Sequence, residues 1–287
     1  MENGKLRVII ENVQPLVDNG LYMAKRTVGE RVDVSATIFG DGHDHIRAEV
    51  LYKKHGAKTW VRVELNPTFN DRWSASFVVT ETGIYVFTIE AWVDHFDTWY
   101  DGFKKKAAAK VDVKVELMEG ALLLTELSKS NSTLLPHIKK LEDKARYQSA
   151  IDFVLSPEFA EIVHANPLRA NETKLDSEIK IQVEYAKANF SAWYEFFPRS
   201  ASLESGKHGT FQDCVRLLPR IAAMGFDVLY FPPIHPIGKV NRKGKNNNVS
   251  SVKGEPGSPW AIGSEEGGHK SILPALGTLD DFKKLVG

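Results

Sequence analysis

Apolar and polar residues alternate along much of the first third of the chain. Val32, Val34, Ala36 and Ile38 are interleaved with Asp33, Ser35 and Thr37. That period of two places the four apolar side chains on one face of a strand. Trp73, Ala75, Phe77 and Val79 repeat the pattern, and Val111, Val113 and Val115 against Asp112, Lys114 and Glu116 extend it. Gly40-Asp41-Gly42, Asn66-Pro67, Asn70-Asp71 and Glu81-Thr82-Gly83 supply turns between the runs. Short half-buried strands at this spacing predict a β-sandwich over residues 1–117.

Near residue 118 the spacing becomes helical. Leu122-Leu123-Leu124, Ile138 with Leu141, the run Ala150 to Leu155, and Phe159 with Ile162 and Val163 recur every three or four residues. Ser156-Pro157-Glu158 reads as a helix start with proline in the first position. A helical insert is therefore expected over 118–170. Alternation returns in Ile179, Ile181, Val183 and Tyr185, so residues 171–190 are read as the last sandwich strand and a linker.

From Ser191 the texture changes again. Ala192-Trp193-Tyr194-Glu195-Phe196-Phe197 is nearly continuous and apolar, as in a strand covered on both faces. Thr210 with Asp213 is a shortened capping box. Phe211, Val215, Leu218, Ala222 and Met224 mark an expected buried helix face, which Gly225 ends. Val228-Leu229-Tyr230-Phe231 is a second strand, Pro232 to Gly277 a long loop, and Thr278-Leu279-Asp280-Asp281-Phe282 the start of another helix. This is the β-α-β-loop-α unit of a parallel α/β fold. A (β/α)8 barrel takes about 250 residues, and only roughly 100 remain here. Residues 191–287 are thus expected to be the opening two βα units of an incomplete barrel, in a chain that is part of something longer or is completed in trans.

Composition narrows the function classes. The 287 residues carry 37 Lys plus Arg against 37 Asp plus Glu, so no global basic field exists for nucleic acid. The 15 Phe, 8 Tyr and 6 Trp argue against disorder. A single cysteine, Cys214, cannot form an intrachain disulfide. No secretion signal opens the sequence and no run approaches 18 apolar residues. A cytoplasmic location is expected.

The richest chemistry follows the second strand. No acidic residue lies between Asp227 and Glu255, whereas Lys239, Arg242, Lys243, Lys245 and Lys253 do. A donor-rich loop at the carboxyl end of a parallel strand suits an anion or a polyhydroxylated ligand. The bland alternative is a solvated basic loop. No metal-ligand spacing, hydrolase elbow or phosphate loop is present, and no cofactor is expected.

Three segments carry a resemblance. Trp193-Tyr194-Glu195-Phe196-Phe197-Pro198-Arg199-Ser200, the stretch from Phe231 to Asn247 with its Asn241-Arg242-Lys243-Gly244-Lys245-Asn246-Asn247, and Ser258-Pro259-Trp260 through Gly268-His269 resemble the α-1,4-glucan:maltose-1-phosphate maltosyltransferases of the α-amylase superfamily, glycoside hydrolase family 13. The likeness is tight over 191–287 and looser over the sandwich. It implies transfer of maltosyl from α-maltose 1-phosphate to the non-reducing end of an α-1,4-glucan, with retention through a covalent glycosyl-enzyme. It also implies a homodimer through the sandwich and helical insert, and catalytic carboxylates outside these 287 residues, so that no catalytic residue is assigned here. It puts the sugar-binding lysine on Lys243, with Asn246 and Asn247 as loop-shaping or donating neighbours. Gly83-Ile84-Tyr85 is similar to the tyrosine-corner segment of immunoglobulin-like folds.

Other residues keep open readings. Glu195 is expected to pair structurally inside its strand, with a catalytic role as the alternative. Glu265 and Glu266 are expected to fold the loop locally, with acid–base work as the alternative, His235 and His269 to fix its exits or touch sugar, and Trp260 to pack or stack on a sugar. Cys214 packs as a small hydrophobe. Trp92, Trp99 and Tyr100 are core or an interaction surface. Rival functions are an amylase or glucan-branching enzyme of the same superfamily, a non-catalytic dimerisation or glucan-docking module, and more remotely a polyanion-binding loop.

Overall fold

In the computed structural model, which describes residues 6–287, the alternating segments form strands. These are β1 (Val8–Gln14), β2 (Ala24–Thr27), β3 (Arg31–Gly40), β4 (Ile46–Lys54), β5 (Val61–Pro67), β6 (Arg72–Val78) and β7 (Gly83–Asp94). Hydrogen-bonded neighbours run β1-β3-β6-β5-β4-β7. β5 turns the corner: Val61–Leu65 pair with β4, then Asn66 and Pro67 pair with β6. Val32, Val34, Ala36 and Ile38 on one part of the path share a core with Ala48, Val50, Phe87, Ile89 and Ala91 on the other. Two inner faces closing on one core is the arrangement of a β-sandwich. Asn66-Pro67 ends β5 instead of turning. The turn falls at Asn70 and Asp71, whose φ values of 49° and 57° lie in the left-handed region those residue types tolerate.

Helices begin at His95, earlier than the expected 118. They are α1 (His95–Ala108), α2 (Lys114–Ser128), α3 (Leu135–Glu142), α4 (Tyr147–Val154) and α5 (Pro157–Ala165). The strand expected at Val111–Val115 does not form. Val113 is buried, but Val111 and Val115 are exposed. Val113 instead starts a helical series with Leu117, Ala121, Leu124 and Leu127. A three-valine alternation is too short to outweigh that longer stripe. Ser156 caps α5 by accepting from the Phe159 amide, with Pro157 in the first turn, as the sequence indicates. Phe159 is the hub of the helical core, with ring centroids 6.0 Å from Phe96, 6.0 Å from Trp99 and 5.3 Å from Phe153. Trp92, Trp99 and Tyr100 are all core.

The chain then returns to the sheet. β8 (Arg169–Lys174) and β9 (Ile179–Glu184) pair with successive stretches of β7, and β9 also pairs in parallel with β2. Ile179, Ile181 and Val183 face the core as their alternation demands. β8 is a strand that its polar sequence, Arg-Ala-Asn-Glu-Thr-Lys, did not announce.

Contacts divide the chain into two compact units between Ala186 and Lys187. The second contains β10 (Trp193–Glu195), α6 (Phe211–Ala223), β11 (Val228–Tyr230) and α7 (Leu279–Val286). β10 and β11 pair in parallel, Trp193 with Val228 and Glu195 with Tyr230. Both helices open on complete capping boxes, Thr210 with Asp213 and Thr278 with Asp281. The threonine hydrogen bonds hold both aspartates below the usual carboxylate range. Neither short strand is covered on both faces. Apolar cover gathers past their ends, where Phe196 and Phe231 pack with Phe211, Cys214, Leu276 and Leu285. Trp193 is left 60% exposed, and Glu195 is exposed rather than paired inside a buried strand. The buried face of α6 is Phe211, Cys214 and Ile221. Val215 and Met224, expected on it, are 41% and 47% exposed, and Ala222 is exposed as well, because the buried row runs through 211, 214 and 221, with Leu217 and Leu218 partly buried beside it. No helix among the described residues is long and apolar enough to cross a membrane.

Cys214 is fully buried, and that burial pushes its thiol up to about 11. A thiol so high is inert as a nucleophile. A thiol reagent such as Ellman's should therefore leave the native chain unmodified at pH 8 and titrate one group once denaturant is added. Rapid native reaction would contradict the packing.

Candidate functional site: the loop after the second parallel strand

The loop from Pro232 to Gly277 is built on backbone carbonyls bound by arginine. Arg242 Nη2 donates to the Ile237 carbonyl at 2.8 Å, Nε to Gly238 at 2.9 Å and Nη1 to Glu255 at 3.4 Å. Arg199 Nη1 donates to the Gly257 carbonyl at 2.6 Å, and its guanidinium lies 5.1 Å from the Phe197 ring centroid. Burial lowers the Arg199 pKa from the ordinary arginine value. The two arginines meet at Gly257, where φ is 74° and an added Cβ would lie 2.8 Å from Arg242 Cγ. A bridge between Ile237 and Ile262 and the Gly238 amide on the Ala261 carbonyl close the loop's base.

The tip is a tight turn. Gly244 donates its amide to the Asn248 carbonyl at 2.9 Å, around a short 3-10 turn over Lys245–Asn247. Asn246 and Asn247 hold φ values of 51° and 62°. A Cβ on Gly244 would sit 2.4 Å from the Ser250 carbonyl oxygen and 2.9 Å from Glu255 Oε2, so only glycine fits. Glu255 Oε2 accepts from the Val252 amide at 3.0 Å. This first acidic residue after the basic run is thereby used to shape the loop.

Among the five basic residues the work is divided. Arg242 is structural, and Lys239 pairs with Glu265 at 2.8 Å. Lys245 and Lys253 are exposed with no side-chain hydrogen bond or ion pair among the described residues, and so is Lys243. Asn246 and Asn247 are exposed beside it. The three predicted ligand-binding residues therefore stand together on one turn. The other marked residues fold the loop: the Glu266 amide donates to the Ser264 hydroxyl, His235 Nδ1 lies 3.1 Å from the Pro236 carbonyl oxygen and the His235 ring packs edge-on to His269, and Trp260 stands edge-on to Phe197. Sequence reasoning grouped Arg242 with the lysines and gave Arg199 and Glu255 no role. The signal available was chemical type, since guanidinium can bind several carbonyls in a fixed fork and ammonium cannot.

Residues 6–185 match the sequence model of the α-1,4-glucan:maltose-1-phosphate maltosyltransferase N/S domain. The chain belongs to this family. Relatives bearing the maltosyltransferase name include proteins from Chlorobaculum tepidum (45% identical), Methylacidiphilum infernorum (44%) and Streptomyces coelicolor (43%). The alignments cover 99%, 99% and 98% of this chain, and 43% of the length of each of those three maltosyltransferases. They extend past the N/S domain and take in the arginine-braced loop.

Proposed function

We propose that this chain supplies the N-terminal domains and the first sugar-binding loop of an α-1,4-glucan:maltose-1-phosphate maltosyltransferase. In this reading β10, α6, β11 and α7 open a (β/α)8 barrel, after an immunoglobulin-like sandwich built on β1–β7, a helical insert α1–α5 and the returning strands β8 and β9. The substrates are α-maltose 1-phosphate and an α-1,4-glucan, the setting is cytoplasmic, and the sandwich with its helices makes a homodimer. The observation that carries the reading is Lys243: an exposed ammonium with no ion pair among the described residues, on an arginine-braced loop that follows a parallel strand, three and four residues before two exposed asparagine amides. Ammonium and amide N–H groups suit sugar hydroxyls and phosphate oxygens alike.

Retaining transfer needs two carboxyl groups about 5–5.5 Å apart across the anomeric centre. One attacks the anomeric carbon as the other protonates the departing phosphate, then deprotonates the acceptor hydroxyl. Among the described residues of the second unit most carboxylates already have structural partners. Asp213 and Asp281 cap helices, Asp227 holds the Ala192 amide and Lys187, Glu255 shapes the loop and Glu265 pairs with Lys239. The bond-breaking acids are accordingly assigned outside these residues, and the chain alone is proposed to be inactive.

In the full-length enzyme, Lys243→Ala should weaken productive donor binding by about 1–3 kcal/mol, the scale of a charged hydrogen bond. Measured kcat/KM for α-maltose 1-phosphate reads the loss, and an unchanged value removes Lys243 from the site. Phosphate-dependent release of maltose 1-phosphate from glycogen separates the transferase from an amylase, which would hydrolyse glycogen without phosphate.

A further inference from the structure

We infer that Arg242 is a positioning residue for the donor: it holds the Lys243–Asn247 turn in its binding shape and makes no contact with sugar itself. This rests on the assignment of Lys243 to donor binding. Arg242 immediately precedes Lys243, yet its guanidinium points back into the loop, with all three nitrogens on carbonyls from two separated strands of it, Ile237 and Gly238 on one side and Glu255 on the other. The stem of the same side chain fills the space that Gly257 leaves open, and the Gly257 carbonyl is fixed in turn by Arg199. The Glu255 side chain reaches the Val252 amide and lies beside Gly244, within the turn that presents Lys243, Asn246 and Asn247.

The two halves of the loop are therefore joined through one planar fork at the root of the ligand-bearing turn. A lysine at 242 keeps the charge but has neither the fork nor the reach to bind three carbonyls in three directions. Its effect separates geometry from electrostatics. A bound substrate needs the turn in one shape, so loosening it raises KM while leaving the chemical step intact.

Kinetics and limited trypsin digestion of the full-length enzyme test this together. Arg242→Lys should raise KM for α-maltose 1-phosphate tenfold or more with kcat within twofold of wild type. The Arg242→Lys, Lys243→Ala double variant should lose less than the product of the two single losses, because much of the first substitution's effect acts through the second residue. Trypsin should cut at Lys245 and Lys253 faster in Arg242→Lys than in wild type, at unchanged circular dichroism. Wild-type KM in Arg242→Lys overturns the proposal, and so do losses that multiply in the double variant. Arg242→Gln repeats the test should the lysine variant misfold. Wild-type KM in Lys243→Ala is a different failure. It removes the assignment on which the proposal rests and overturns the donor-positioning role with it, while the digestion still reports whether Arg242 braces the loop.

Discussion

Replacing Gly120 with alanine should destabilise the first unit by about 2 kcal/mol, although the same change inside an exposed helix stabilises by up to about 1 kcal/mol. Gly120 lies in the middle of α2, where α1 crosses it. An added Cβ would stand 2.2 Å from Trp99 Cζ2 and 2.6 Å from Cη2. Trp99 cannot turn aside cheaply, because its indole Nε1 donates to the Glu116 carbonyl at 2.9 Å and its ring packs on Phe96 and Phe103. The two helices must then separate or the hydrogen bond must break, and either outweighs the gain in helix propensity. Urea unfolding of the chain measures it. A Gly120→Ala protein as stable as wild type would mean that the close crossing of α1 and α2 is wrong.

Asp94→Ala should cost more, about 3 kcal/mol, the scale for removing one partner from a buried charged network. Asp94 is fully buried at the end of β7. Its Oδ1 accepts from the amides of Phe96 and Asp97, which caps α1, and from the amide of Leu168, where the chain leaves α5 for β8. Arg47 Nη1 lies 3.6 Å from Oδ2 and also donates to the His164 carbonyl near the end of α5. One carboxylate thus ties both ends of the helical insertion to the sheet. Burial raises its pKa, against the opposing pull of the backbone amides and Arg47. The sign of the pH effect follows from linkage. A folded pKa above the unfolded value means that the proton-linked part of the contribution of Asp94 is fully present below the unfolded pKa and is lost as pH rises through the folded one. The stability gap between wild type and Asp94→Ala should therefore widen on acidification. A gap that narrows would show that the folded carboxylate is held ionised.

Much of this was legible in the sequence, for physical reasons that differ along the chain. Strands with one wet face announced themselves: Val32 to Ile38 and Ile179 to Val183 alternate because one side meets water. β7 carried no such signal over most of its length, because it is buried on both faces from Tyr85 to Asp94. Both capping boxes in the second unit were readable, since they depend on residues three apart. β8 was hidden because polar residues form it through pairing to β7. In the loop, residue types indicated a donor-rich turn at Lys243, Asn246 and Asn247. They could not indicate that Arg242 faces inward, because which carbonyls it meets depends on contacts from residues 237 to 257.

The pairing of β7 fixes the order in which this protein can be assembled. One edge of that strand is satisfied by β4, only a few dozen residues upstream, but the other is shared by β8 and β9, and β2 waits for β9 as well. A ribosome must therefore extrude five helices before the sheet is sealed. In that interval an open hydrogen-bonding edge in the most apolar strand stands ready to recruit any neighbouring nascent polypeptide.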